Sequence, residues 1–419
     1  MNKISQLKDY ILSNKFDSLL FLYALFLPLR NNISGAVLFL LIFSSILDFK
    51  NTKSIVKNSI KNKFFILFIS LFIIHLLGLL YTSNFRYAFK DLDIKLPLLI
   101  FPFLLLGRGI DKKTIDFILK AFVIGCLVGS IGAFSNAIQL YLQTRDISKM
   151  LYGGMQFIMH SSYFALYLSF SIAYLFFKLD AEDSLFSKKN LAIFSLIFFF
   201  IVVIIFLNSR AGMIGLGVSF LFFLVYVFIE KRLKLFYFLI SMFFMTSVFV
   251  FTTSNQVFNR FKVINNKTVS KSVSKSVSKS VSKSNINQID LRMAILTIGF
   301  GLFKESPVFG YGTGDIKDVL IEGYKKEDFI KGYDRKYNCH NQFLQFTLAF
   351  GVIGLFVFLM ILIYPMLYAF SRKNYIYTFM VLLLCFNFLF ESMLETKAGV
   401  EFYAFFNSLL VGISSKKLY

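Results

Sequence analysis

The chain has 419 residues, of which 57% are hydrophobic, with a mean hydropathy of +0.69 and a formal net charge of +22. This composition excludes a soluble protein and is typical of polytopic membrane proteins. The lysines lie mostly in short loops between apolar runs, so the basic excess predicts contacts with anionic membrane lipids and not with nucleic acid.

Apolar runs long enough to cross ~30 Å of hydrocarbon recur along the chain. The first run lacks a small-residue cleavage site, so we expect it to remain as an anchor. The pattern predicts an all-α protein of about twelve transmembrane helices, near residues 17–31, 32–49, 64–81, 94–107, 115–142, 159–178, 190–207, 212–229, 235–253, 344–370, 375–393 and 399–414.

Lysine and arginine concentrate in alternate short loops, which predicts that these loops and both termini are cytoplasmic. The opposite loops are then external, including a long one between predicted helices nine and ten. The chain divides accordingly into helices one to nine (1–253), the long loop (254–343) and helices ten to twelve (344–419). Cys126 and Cys385 lie in apolar runs while Cys339 lies in the loop, so we expect no disulfide framework.

Within the long loop, residues 269–284 repeat the tetrapeptide Val-Ser-Lys-Ser four times. The repeat has little apolar surface to bury, and its composition favours a solvated linker over a strand. After it, Ile289, Met293, Leu296, Phe300 and Phe303 recur at helical spacing. They predict an amphipathic helix along the outer membrane boundary, with Arg292 in its first turn.

Several cations lie in the predicted external loops. Arg210 occupies a short turn between two spans, where it could bind either an anionic substrate or a lipid headgroup. Arg86 and Lys95 flank Asp91 and Asp93 and are candidates for contact with a phosphate or an acidic sugar. The two aspartates also have the Asp-x-Asp form of metal-dependent glycosyltransferases, although a pattern this short arises by chance and the adjacent cations could pair with it.

A glycine-rich segment and two histidines complete the candidates. Gly310, Gly312 and Gly314 precede a short apolar segment, an arrangement that could form a phosphate cradle or a plain turn. His340 lies just before predicted helix ten and His160 just before helix six. Each could act as a proton acceptor, or could simply cap or pack a helix.

Several segments together strongly resemble the family of bacterial O-antigen ligase and polymerase-like membrane proteins. They are the Arg292 helix that ends at Glu305-Ser306-Pro307, Gly310 to Gly314, His340 to Gln345, Phe350 to Gly354, Asn208 to Gly212, Met159 to Tyr163 and Glu391 to Glu395. The tetrapeptide repeat departs from the family pattern.

The resemblance implies a GT-C-like architecture and a metal-independent, inverting glycosyltransferase without a cofactor. It would use an undecaprenyl-diphosphate-linked glycan at the periplasmic face of the bacterial inner membrane. Arg210 and Arg292 would hold the diphosphate and His340 would activate the acceptor hydroxyl. The other positions expected to contact substrate are Arg86, Lys95, His160, Gly310, Gly312, Gly314, Asn341 and Gln342.

Two reactions share this donor and leaving group. A ligase transfers the glycan to a lipid A core acceptor, whereas a polymerase transfers it to another lipid-linked repeat. The late position of the long loop favours the ligase. A polysaccharide transporter is a third alternative, but the sequence has neither mid-membrane charges nor related halves, which that class requires.

Overall fold

The computed structural model describes residues 15–29, 31–146, 154–156, 158–179, 187–237, 240 and 288–412. Within these residues the regular secondary structure is entirely helical, which confirms the all-α prediction. The tetrapeptide repeat and most of the ninth predicted span, near 235–253, lie outside the described residues.

Before the long loop, eight of the ten described helices follow the predicted apolar runs within about five residues, whereas the helices at 49–61 and 85–95 lie in segments that were predicted as loops. They are α1 (Lys15–Phe26), α2 (Asn31–Leu47), α3 (Phe49–Lys61), α4 (Phe65–Leu77), α5 (Phe85–Lys95), α6 (Pro97–Leu105), α7 (Lys112–Thr144), α8 (Ser161–Phe177), α9 (Lys188–Phe206) and α10 (Arg210–Ile229).

The described part of the long loop is helical as well, and it leads into the last three helices. These elements are α11 (Gln288–Glu305), α12 (Ile316–Lys326), α13 (Ile330–Arg335), α14 (Gln342–Ser371), α15 (Tyr375–Phe388) and α16 (Lys397–Leu410). The helix predicted around Arg292 is therefore present as α11, but Leu291 and Ile295 are buried in it whereas Met293 and Phe300 of the predicted apolar face are exposed.

The twelve predicted spans are not confirmed. Among the described residues, four helices are long and apolar enough to cross a membrane: α7, α9, α10 and α14. The bent pair α2 and α3 could add a fifth. Several other predicted spans form shorter helices, such as α6 with 9 residues and α15 with 14. At ~1.5 Å per residue these fall well short of ~30 Å.

Helix α14 breaks near its start, and the glycine-rich segment packs into the break. Gly351 has φ +63°, a left-handed conformation that favours glycine. A Cβ at this position would lie 2.0 Å from the Val308 carbonyl oxygen, so no other residue fits without a shift. The Val352 amide donates to the Pro307 carbonyl at 2.9 Å, which joins the end of α11 to the break.

Helix α8 lies at the centre of the bundle, and all of its side chains are buried. Aromatic rings surround it: Tyr167 stacks on Phe402 of α16 at 4.9 Å between centroids, and Phe122 of α7 meets Phe406 at 5.0 Å. Large buried rings dominate the packing of such cores. The packing holds the start of α8 next to the segment between α15 and α16, where the polar residues described below converge.

Candidate functional site

His340 and Glu391 form the centre of a polar cluster. The His340 Nδ1 atom lies 3.1 Å from Glu391 Oε2, although the residues are 51 positions apart. His340 precedes α14, and Glu391 lies in the segment that follows α15. A carboxylate at Nδ1 favours the tautomer with the proton on that nitrogen, so the Nε2 lone pair can accept a proton.

The backbone at His340 is held in an uncommon conformation. Its φ is +45°, in the left-handed region, which costs a non-glycine residue roughly 1–2 kcal/mol. The His340 amide donates to Asn338 Oδ1 at 3.0 Å, which stabilises the turn. Such conformations concentrate at functional sites, where the surrounding structure maintains them.

Glu391 also contacts an arginine and a serine. Arg292 of α11 places a guanidinium nitrogen 3.6 Å from Glu391 Oε1, and the Ser162 hydroxyl lies 3.4 Å from the same oxygen. Burial alone would raise the pKa of Glu391. The hydrogen bond from His340 and the electrostatic effects of His340, His160 and Arg292 outweigh that effect, and the pKa of Glu391 falls below its ordinary value. Glu391 is therefore a carboxylate at neutral pH.

Arg210 lies at the edge of this cluster, at the first position of α10. Ser209 caps the helix by accepting a hydrogen bond from the Gly212 amide at 3.2 Å, and its hydroxyl lies 3.3 Å from that of Ser162. Arg210 is exposed and forms no ion pair with any residue that the structure describes. A free guanidinium at a helix N-terminus can bind an anion.

His160 has a structural role at the start of α8. Its Nδ1 atom accepts a hydrogen bond from the Ser162 amide at 3.4 Å, which caps the helix. The ring is exposed and contributes to the lowered pKa of Glu391. The structure thus brings His160, Arg292 and His340 around a single carboxylate, with Arg210 joined to it through Ser209 and Ser162.

Lys95 and Gln342 belong to a second, buried network. Lys95 is 1% exposed, forms an ion pair with Asp91 and lies 3.6 Å from Glu395. Gln342 is fully buried; its amide nitrogen donates to Glu395 at 3.3 Å and its oxygen accepts from the Leu394 amide at 2.6 Å. These contacts occupy the polar groups expected to face substrate. We therefore assign both residues to positioning the loops that carry His340 and Glu391.

Asp91 and Asp93 do not form one site. In helix α5 residues two positions apart point to different sides, and Asp91 is buried while Asp93 is exposed. Burial raises the pKa of Asp91 to about 6; the adjacent Lys95 opposes this shift and Glu395 adds to it. The Asp91 carboxylate is bound to Lys95, so the Asp-x-Asp arrangement is not a shared metal-binding pair in this structure.

Backbone amides of the glycine-rich segment donate hydrogen bonds to neighbouring segments of the protein. The Gly312 amide donates to the Ala349 carbonyl and the Gly314 amide to the Thr82 hydroxyl, each at 2.9 Å. A Cβ at Gly314 would lie 2.2 Å from the Asn84 carbonyl oxygen, and one at Gly310 would lie 2.5 Å from the Leu348 carbonyl oxygen. The glycines permit close packing, and the amides of Gly312 and Gly314 are not available as a phosphate cradle.

The two remaining predicted residues differ in position. Asn341 caps α14 by accepting from the Leu344 amide at 2.9 Å, and its amide nitrogen donates to the Leu389 carbonyl at 3.3 Å. It thus ties the His340 turn to the Glu391 segment. Arg86 is exposed and lines a shallow groove with Tyr311 and Asp315, apart from the cluster around Glu391.

Sequence reasoning did not assign a role to Glu391, Glu395 or Ser162. All three lie inside segments that carry the family resemblance. The position of Glu391 and Glu395 near the end of a predicted span is the feature of the sequence that could have marked them as candidates. Their partners could not be predicted, because His340 and Lys95 are 51 and 300 positions away in the chain.

A family model described as O-antigen ligase matches residues 195–359. This segment contains Ser209, Arg210, Arg292 and His340, whereas Glu391 lies beyond it. No curated protein matches the chain. The match supports a function of the O-antigen ligase or polymerase type and, in general, a glycosyl-transferring enzyme with lipid-linked glycan and lipid A core partners. The chain is therefore a multi-pass membrane protein in which residues 195–359 are similar to the O-antigen ligase family.

Proposed function

We propose that the protein transfers a glycan from an undecaprenyl-diphosphate carrier to a lipid A core-type acceptor at the periplasmic face of the bacterial inner membrane. One observation carries the proposal: Glu391 contacts both His340, at 3.1 Å, and Arg292, at 3.6 Å. A proton acceptor and an anion-binding group are thus held by the same carboxylate.

His340 acts as the general base. Its Nε2 atom takes the proton of the acceptor hydroxyl while that oxygen bonds to the anomeric carbon of the donor sugar. The bond between that carbon and the diphosphate oxygen breaks, and the diphosphate leaves with the electron pair. Glu391 stabilises the imidazolium that forms. Attack from the side opposite the leaving group inverts the configuration at the anomeric carbon.

Arg292 and Arg210 bind the diphosphate. A guanidinium offers forked donors that match phosphate oxygens and can stabilise the charge that develops on the leaving group. Two guanidinium groups can perform the task that a divalent cation performs in metal-dependent transferases, so we propose a metal-independent reaction. The contact between Arg292 and Glu391 orients this guanidinium before the donor binds.

The same residues would also serve a polymerase, because the leaving group and the proton transfer are unchanged. The ligase assignment follows the description of the matching family model. The distinguishing experiment supplies purified protein in liposomes with a lipid-diphosphate donor and, separately, with a lipid A core acceptor or a second lipid-linked repeat. Transfer to the lipid A core acceptor is expected, and exclusive transfer to the repeat would assign a polymerase.

Variants test the roles of the residues. His340→Ala should lose about 10²- to 10⁴-fold in turnover while it still binds donor. Arg210→Ala and Arg292→Ala should weaken donor binding, whereas Arg335→Ala, an exposed arginine of α13, should not. Activity should survive EDTA. Near-normal turnover of folded His340→Ala between pH 6 and 8 would refute the proposal.

The proposed topology is tested by thiol labelling. Cysteines placed at Ser54 in α3 and at Ser274 in the repeat are exposed to an impermeant reagent in cells whose outer membrane alone is permeable. Labelling at Ser274 but not at Ser54 is expected, because the lysine-rich loops are cytoplasmic. The opposite pattern would reverse the proposed orientation.

A further inference from the structure

Helix α3 has the features of a helix that lies on a membrane surface. It follows the apolar α2 directly, and the two helices meet at an angle of 106°. Its 13 residues include four lysines and no acidic residue. A bend of this size turns the chain away from the direction of α2, so α3 need not cross the membrane with it. The sequence had indicated only a basic loop at this position.

One side of α3 is fixed to the protein. Ile55 and Ser59 are buried, and the Ser59 hydroxyl donates to the Phe103 carbonyl at 3.0 Å. Asn62, directly after the helix, donates to the Leu106 carbonyl at 3.2 Å. These contacts dock α3 against the end of α6. They use none of the lysines, so the basic side of the helix faces away from the protein.

The four lysines form a stripe. At ~100° per residue, Lys50, Lys53, Lys57 and Lys61 fall within an arc of about 80°. All four are exposed, and none forms an ion pair with a residue in the described part of the chain. The next sector holds Phe49 and Ile60, which are 68% and 52% exposed. The helix therefore presents a basic stripe beside an exposed apolar flank.

We propose that α3 lies in the plane of the membrane interface and that its lysine stripe binds the headgroups of anionic phospholipids. Phe49 and Ile60 would enter the outer part of the acyl layer, while the lysine stems extend to the phosphates. The exposed end of α2, with Leu47 at 72%, continues this apolar surface. An acidic protein partner would also pair with the lysines, but it would not require exposed apolar residues beside them and next to the apolar end of α2. We therefore favour the bilayer as the partner.

The test uses the full-length protein in a neutral detergent with tail-labelled phosphatidylglycerol or phosphatidylcholine, whose binding is followed by fluorescence anisotropy. The wild-type protein should prefer phosphatidylglycerol by at least about tenfold at low salt, and the preference should shrink at high salt. Replacing the four lysines of the stripe by glutamine should remove most of the preference. A double variant, Lys53→Gln with Lys57→Gln, should lose part of it.

The matched control removes four other exposed lysines, Lys304, Lys325, Lys331 and Lys336, so the change in net charge is the same. This control should retain the preference. Equal losses in the two quadruple variants would show a general charge effect and would overturn the proposal. Gel filtration confirms that each variant is folded.

Two further outcomes would also contradict the proposal. Excess glycerol phosphate should not displace the lipid; displacement would indicate a pocket for a free phosphate. If the wild-type protein bound phosphatidylglycerol and phosphatidylcholine equally, the lysine stripe would instead be assigned to an acidic protein partner. None of these measurements depends on glycosyl transfer, so the result is independent of the proposed function.

Discussion

Replacing Lys95 by methionine tests whether the buried network positions the loops that carry His340 and Glu391. Methionine is unbranched like lysine and only one atom shorter, and it removes the cation that lies between Asp91 and Glu395. The variant leaves two carboxylates next to each other without a counter-charge. At least one of them must then take up a proton or move away, and movement of Glu395 would also disturb Gln342.

The expected magnitude follows from burial. Removing one partner of a buried ion pair typically costs ~3–5 kcal/mol, because an unpaired charge remains. The loss should depend on pH. The pKa of Asp91 is already raised to about 6, chiefly by burial, and it rises further once the cation is gone. Protonation then relieves the unpaired charge, so Lys95→Met should lose more stability at pH 8 than at pH 5.

Two measurements on detergent-solubilised protein check this expectation. Thermal unfolding should show a lower midpoint for Lys95→Met, and adding Asp91→Asn should restore part of the loss by removing one carboxylate. The second measurement is the labelling rate of Cys339, which is buried directly before His340, in a chain with Cys126→Ala and Cys385→Ala. Labelling should accelerate in Lys95→Met. An unchanged midpoint together with a protected Cys339 would refute the positioning role.

The other predictions concern a charge, a backbone conformation and the repeat. Glu391→Gln should lower turnover by at least about tenfold with donor binding retained. The pKa of Glu391 is lower in the folded protein than in the unfolded one. Its carboxylate therefore stabilises the fold above the unfolded pKa, and this contribution is lost as pH falls through the folded pKa. Glu391→Gln should lack this loss of stability at acidic pH. Gly351→Ala should lower stability by at least ~1–2 kcal/mol, whereas Gly301→Ala, with open space around its Cβ position, should be close to neutral; equal unfolding midpoints would contradict the strain argument. Deleting Val273 to Ser280 should leave transfer largely intact, since halving a loop changes its closure cost by only ~0.6 kcal/mol. Loss of activity at normal expression would instead assign the repeat a function.

The sequence by itself determined the helical class and most helix positions. Predicted spans at 190–207, 212–229 and 344–370 correspond to Lys188–Phe206, Arg210–Ile229 and Gln342–Ser371. Apolar runs of this length are a local property, because each helix satisfies its own backbone hydrogen bonds in a membrane. The family resemblance also followed from local motifs, and the family match confirms it.

The positions of the helix breaks were decided by contacts that hydropathy does not record. The chain bends by 106° between α2 and α3, and Gly351 interrupts α14, which is still long and apolar enough to cross a membrane. Gly351 is a glycine because the end of α11 passes within contact distance of its backbone. That contact joins segments about 43 residues apart, beyond the reach of a periodicity argument.

Tertiary structure alone decided which charged residues work together. Lys95 resembled a substrate-binding cation in the sequence, because its neighbours along the chain are polar and its partner Glu395 is 300 positions away. His340 and Arg292 were recognised individually, but the carboxylate that contacts both comes from the segment after α15, much later in the chain. Burial and ion pairing depend on what packs around a side chain in three dimensions, and a linear sequence does not contain that information.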